Sequence, residues 1–348
     1  MLGMWSWLSH YWAALAIGGT CLSLLAFAVY LLAKYIRIVL NIFVDTPPVP
    51  STLPRDFKVL RGELVRFRSF DGTSLRGMWL RTPNRRQCRG TIVFCHESGS
   101  DMYSCDRYSG PLVDAGFDVF TFDFRGHGES SAPESYRSLP WPSDKELEDA
   151  LGATAYVEGT LEAQGKPARV GVVGISRGAG AAILAASSDP NIACLVCDGA
   201  FSTAETIVTL MKRWAHIFAR VKLVYENHPD AFWKFLYWCM MRLAQPKLRR
   251  RFPSVRKAVR DMVSRPILFI HGEKDTYIHP GQAYMLYGVA EQPKYLWVVP
   301  EAKHNQSVVA AAAEYAARTI AFFGKYLAGE AVGEEELTAA GKAQTDVA

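Results

Sequence analysis

The first 33 residues contain no lysine, arginine, aspartate or glutamate. That absence excludes an ordinary solvated segment. It leaves YWAALAIGGTCLSLLAFAVYLLA (11–33), a run long enough as a helix to cross the roughly 30 Å hydrocarbon core of a bilayer. No base precedes the run, as a cleaved secretory signal would require. The first cations, Lys34 and Arg37, follow it, with Arg55, Lys58 and Arg61 beyond. Trp5, Trp7, Tyr11 and Trp12 at one end, and Tyr30 and Tyr35 at the other, suit the interfacial belts where amphipathic rings settle. The expectation is a transmembrane anchor over residues 1–44, a single pass with the N-terminus outside and the rest of the chain cytoplasmic, because positive charge collects on that side.

A cysteine framework is missing too. The seven cysteines, Cys21, Cys88, Cys95, Cys105, Cys194, Cys197 and Cys239, are odd in number and scattered, which fits a reducing compartment better than a set of disulfides. Cys194 and Cys197 have redox or zinc spacing, but they lie in the apolar run IACLVCDGA without a second pair or histidine cluster nearby, so they read as buried strand residues. The chain shows no internal repeat and no nucleic-acid recognition motif. Neither a metal, nor a cofactor, nor a nucleic-acid partner is expected.

What is present is 348 residues, 49% of them hydrophobic, the material of one large α/β domain with attachments. DTPPVPSTLP (45–54) holds four prolines and predicts an extended linker over 45–57. The folded domain is expected over 58–328. GEAVGEEELTAAGKAQTDVA (329–348) is acidic and lacks aromatics, and reads as a disordered tail. ELVRFRSF and SLRGMWLRT flank Asp71-Gly72, a hairpin signal. Apolar β-rich runs follow at GTIVFCH (90–96), FDVFTFDF (117–124), ARVGVVG (168–174), IACLVCD (192–198), RPILFIHG (265–272) and KYLWVVP (294–300). Helix-length segments separate them, notably 143–165, where Ser143 and Glu146 are placed for a capping box. Strands alternating with helices imply a mostly parallel sheet covered on both faces. Ligands of such sheets bind at the carboxyl ends of the strands. That edge collects His96, Glu97, Asp123, Arg125, Ser176, Asp198, Asp275 and His304.

Gly174-x-Ser176-x-Gly178 lies at the junction between the run RVGVV and the helical pattern RGAGAAILAASS. The triplet alone arises by chance in roughly one chain of this composition in eight. Its setting is what a nucleophile elbow needs, a sharp strand-to-helix turn holding the hydroxyl above the sheet. Glycine at 174 and 178 keeps side chains out of the turn, and the following helix N-terminus offers N–H groups to an oxyanion. A serine hydroxyl needs a base, and the base a carboxylate to fix its tautomer. His304 in PEAKHNQS and Asp275 in HGEKDTYI follow in the order Ser, Asp, His. The alternatives are a surface loop carboxylate for Asp275 and a helix cap for His304. His271 is a rival base and Asp198 a rival acid, while His127 reads as structural.

These motifs, with FDFRGHGES (122–130), resemble the α/β-hydrolase superfamily from about residue 60 to 327, with the serine-aminopeptidase-like and membrane-anchored branches most similar. The resemblance implies an α/β-hydrolase fold, catalytic Ser176, Asp275 and His304, and an oxyanion hole made by the N–H groups of Ser98 and Arg177. One departure is HESGSD (96–101), where Glu97 replaces the usual glycine. A carboxylate there is unfavourable unless turned away or paired, with Arg125 and Arg177 as candidate partners.

Between CDGAFS and Pro266 the strand–helix rhythm stops, where such proteins carry a helical cap, here about 203–262. Residues 212–261 hold 13 Lys or Arg against Glu226, Asp230 and Asp261, a balance of 13 − 3 = +10. Interleaved aromatics, among them Trp214, Phe232, Trp233 and Trp238, fit either contact with anionic lipid or a cap with rings inward and charges in water. The functional expectation is a membrane-anchored serine hydrolase acting on a small-molecule or lipid ester or thioester. An amidase or peptidase, and a non-catalytic binding protein of the same fold, are the alternatives.

Overall fold

The computed structural model describes residues 2–44, 61–84, 87–218 and 228–338. Helix α1 (Leu2–Val44) runs past the apolar segment to Val44 and is the one helix among the described residues long and apolar enough to cross a membrane. The expected linker over 45–57 lies outside the described residues. Strands β1 (Glu63–Arg68) and β2 (Ser74–Leu80) form the hairpin around Asp71-Gly72, with Arg68 opposite Ser74.

The period then changes and parallel units begin. In chain order they are β3 (Gly90–Cys95), α2 (Asp106–Asp114), β4 (Phe117–Phe122), α3 (Asp144–Ala163), β5 (Val170–Ile175), α4 (Arg177–Ala186) and β6 (Ile192–Asp198). Three helices follow, α5 (Thr203–Phe218), α6 (Asp230–Leu248) and α7 (Val255–Asp261), then β7 (Ile267–Gly272), α8 (Gly281–Val289), β8 (Lys294–Val299), α9 (Ser307–Ala310), α10 (Ala312–Tyr326) and α11 (Glu334–Thr338). The capping box forms, with the Ser143 N–H donating to Glu146 at 2.9 Å.

The eight strands of the described residues make one sheet in the order β1-β2-β4-β3-β5-β6-β7-β8, with β2 antiparallel to both neighbours and the rest parallel. Successive residues of a strand face opposite sides, so Val172 packs under α3, α4, α7 and α8 while Val173 packs under α2 and α10. The order reverses at β3, which lies between β4 and β5. This switch point opens a crevice between the loops leaving β3 and β5. Cys194 and Cys197 are buried on opposite faces of β6 as free thiols.

By internal contacts the chain divides into a larger unit, 49–210 with 249–348, and a smaller one, 1–48 with 211–248. Two expectations need correction. The cap is not one insert over 203–262, because Val255, Ala258 and Val259 of α7 are buried in the main core against α4 and α8. The tail is not disordered from 329. Leu337 is buried, Arg318 Nη1 donates to its carbonyl at 2.7 Å, and Glu334 bonds Tyr295 and Lys325. An acidic, aromatic-poor segment gains order here by meeting bases and a tyrosine contributed from elsewhere. Residues 339–348 lie outside the described residues.

Candidate active site

β5 ends at Ile175, α4 begins at Arg177, and Ser176 makes the turn with φ 52° and ψ −114°. A positive φ at a residue with a side chain is strained by about 1–3 kcal/mol. The surroundings impose it: the Ser176 N–H donates to Asp198 O at 2.7 Å, and α4 is pressed against β3. A Cβ on Gly178 would stand 2.1 Å from Cys95 O, and one on Gly174 2.5 Å from Ala179 Cα. Only glycine lets the helix approach so closely.

The structure brings Ser176, His304 and Asp275 into line. Ser176 Oγ is 2.9 Å from His304 Nε2, and His304 Nδ1 is 2.6 Å from Asp275 Oδ2. Asp275 Oδ1 accepts from the N–H groups of Tyr277 and Ile278 at 2.9 and 2.8 Å. Burial alone would raise the pKa of Asp275. The hydrogen bonds to His271 and His304 outweigh it and hold the value at about 2. A permanently ionised Asp275 requires a proton on His304 Nδ1, which leaves the Nε2 lone pair for the serine proton. All three residues are at least nine-tenths buried. The ring of Tyr277 stands edge-on to His304 at 5.2 Å.

His271, set against His304 as a rival base, lies behind the acid instead. Its Nε2 is 2.8 Å from Ile278 O and 3.3 Å from Asp275 Oδ2, so Asp275 meets two imidazoles. The sequence signal was its place four residues before Asp275 at the strand end. Asp198, the rival acid, bonds Ser307 Oγ at 3.2 Å rather than His304, and burial pushes its pKa up to about 7.

The loop after β3 is fixed by a residue for which no motif singles out a role. His96 is buried; its Nε2 accepts from Phe124 N–H at 3.1 Å, so its Nδ1 proton goes to Glu97 O at 2.7 Å. In a trans peptide the N–H points opposite to the carbonyl. The Ser98 N–H is therefore held away from His96. The Arg177 N–H opens α4, where no carbonyl four residues back is available to it within the helix. Glu97 is not paired with Arg125 or Arg177 as expected. Its Oε2 accepts from Ser104 Oγ at 3.1 Å, and burial raises its pKa, favouring the neutral form. Both arginines have other partners. Arg125 pairs with Asp149 and Asp71, each at 2.7 Å. Arg177 donates to Ser138 Oγ at 2.9 Å and to His127 Nε2 at 3.2 Å. Among the described residues no group of His, Cys, Asp and Glu side chains forms a metal site.

A doubly covered parallel sheet with an elbow serine after β5, a carboxylate after β7 and a histidine after β8 is the α/β-hydrolase architecture. The chain belongs to the alpha/beta hydrolase family, whose sequence profile matches residues 92–318. It is 25% identical over 247 residues to the uncharacterized protein YfhR of Escherichia coli O157:H7, covering 70% of this chain and 73% of that one. It is 25% identical over 232 residues to the uncharacterized protein YqkD of Bacillus subtilis, covering 65% and 66%. Among solved structures, the Pyrococcus furiosus esterase Pf2001 aligns with a TM-score of 0.54 at 21% identity, over 81% of this chain and 98% of that one. The α/β hydrolase GrgF of Penicillium sp. sh18 aligns at 0.57 and 14% identity, over 77% and 100%. At these identities the structural likeness is one of fold.

Proposed function

We propose that this protein is a membrane-anchored serine hydrolase that cleaves a carboxylic ester, a lipid ester or thioester included. The carrying observation is the unbroken line from Ser176 Oγ through His304 to Asp275. His304 takes the serine proton as Ser176 attacks the carbonyl carbon. The tetrahedral oxyanion is met by the N–H groups of Ser98 and Arg177. His304 then protonates the departing alcohol or thiol, leaving an acyl-serine. Water, deprotonated by His304, attacks that acyl group and releases the acid. Glu97, held by Ser104 and shifted toward its neutral form, offers the oxyanion little repulsion. Esterases among the fold neighbours, such as Pf2001, support an ester over an amide. The charge-free run and the cations after it support an anchor with the hydrolase unit cytoplasmic.

A fluorophosphonate probe tests the chemistry. The full-length chain in detergent is expected to label, and Ser176→Ala to lose both label and ester turnover, the latter by on the order of 10⁴-fold or more. Folded wild-type protein that does not label would sink the enzyme reading. Resistance to alkaline extraction tests the anchor, and protease protection of the folded unit tests its side.

A further inference from the structure

In the smaller unit α6 packs along α1, and a groove of about 580 Å³ runs between them with the last turns of α5 contributing. Its α1 wall extends from Leu25 to Ile42, a rise of roughly 25 Å. The facing wall includes Trp214, Phe232, Trp233 and Leu236. The volume falls within the range of roughly 300–1,000 Å³ usual for ligand sites. The lining is almost wholly hydrocarbon and aromatic, with a phenol from Tyr35 and an imidazole from His228. These isolated polar atoms leave most of its length without a partner for a polar ligand.

Two observations identify the occupant. Part of one wall, Leu25 to Leu32, belongs to the charge-free run 11–33, against which a bilayer puts acyl chain, and Tyr35 to Ile42 continue it past the first cations, Lys34 and Arg37. The edge of the groove is cationic. Phe235, which lines it, stacks on Trp238 at 6.1 Å, and the Arg242 guanidinium lies 5.0 Å over the Trp238 ring. Lys234, Trp238 and Arg242 follow one another at four-residue spacing on one exposed side of α6. Within α6, Lys234, Arg242 and Lys247 are exposed cations against the single acid Asp230. Stacked rings ending in a guanidinium make the transition from acyl chain to phosphate that an interfacial site needs.

We propose that this groove binds one acyl chain of an anionic phospholipid, with its phosphate at the basic face of α6. The proposal rests on the reading of α1 as a membrane span and is independent of the chemistry at Ser176.

The test uses the full chain in nanodiscs carrying phosphatidylglycerol with a diazirine in one acyl chain, or the matching phosphatidylcholine, and maps the photo-adducts by mass spectrometry. Adducts are expected to concentrate on Leu32, Val39 and Leu236, more strongly with phosphatidylglycerol. Ala28→Phe and Ala215→Phe each put a ring into the groove. Displacing two methylenes of the chain is expected to lower groove adducts roughly tenfold. Lys234→Gln with Arg242→Gln is expected to remove the preference for phosphatidylglycerol. If the filled variants do not fold, competition by unlabelled phosphatidylglycerol on the wild type reads the same site and is expected to suppress groove adducts. Adducts spread evenly around α1, adducts indifferent to filling or competition, or a second copy crosslinked into the groove would each overturn the proposal. A chain released by alkali overturns the span and the groove together. An extraction-resistant chain without groove adducts overturns the groove alone. Fluorophosphonate labelling reports the hydrolase reading separately.

Discussion

Asp198 and Asp275 end neighbouring regions of the same sheet edge, both buried, yet their surroundings separate them. Asp275 is surrounded by donors and stays ionised, whereas Asp198 sits near half-protonation at neutral pH. Asp198→Asn mimics the neutral form, and ester turnover at pH 7 is expected to stay within a few-fold of wild type. Asp275→Asn is expected to lower kcat by about 10⁴-fold, because the wrong His304 tautomer is favoured. Steady-state kinetics on the pair decides which carboxylate orients the base, and comparable losses would contradict the assignment. His127 supplies a stability handle. Burial, reinforced by the Arg177 charge, lowers its pKa to about 4 from 6.5. Between those values the unfolded chain binds a proton that the folded chain refuses, so stability falls as pH drops. The contribution lost between pH 7 and pH 5 is roughly 2 kcal/mol. Guanidinium unfolding in detergent at both pH values is expected to show that slope in wild type and less of it in His127→Asn.

The junction of β5 and α4 holds Ser176, the proposed nucleophile, through contact rather than through a cap: α4 is buried at every position and Ser176 makes no side-chain cap bond. Gly178→Ala places a methyl against the Cys95 carbonyl, part of the sheet backbone, which cannot rotate aside. The expected cost is about 3 kcal/mol or more, read as a lower thermal midpoint, together with weaker fluorophosphonate labelling. Unchanged stability would mean that the helix can slide. This element was legible in the sequence because every determinant is local, with an apolar strand run, two glycines and a small-residue helix in sequence. The grouping of Ser176, His304 and Asp275 was legible for a related reason, since fold topology puts the loops after β5, β7 and β8 on one edge. The partner of Glu97 was not. Ser104 lies in a short 3-10 turn (Met102–Cys105) whose placement depends on Asp123 accepting the Met102 N–H at 2.8 Å, and no periodicity reports that.

Across the whole chain, the misread segments are those whose order comes from distant partners. Glu330 pairs with Arg89, 241 positions away, and Tyr295 OH bonds Glu334 at 3.1 Å. Composition described 329–348 correctly as acidic and aromatic-poor, but it carries no information on which bases stand nearby. α7 likewise reads as cap because it falls where the strand–helix rhythm stops, while its three buried apolar residues fix it to the core. Deleting 329–348 removes the burial of Leu337 and the bond from Arg318 to its carbonyl. It is expected to lower stability by about 2–3 kcal/mol, measured by thermal unfolding. β8 is the terminal strand of the sheet, and α11 packs on it. A strand at a sheet margin is a template for another chain. If α11 shields that margin, a chain cut at 328 is expected to form oligomers that grow with concentration even where its monomer still folds, and a monomeric truncated chain in sedimentation would contradict it.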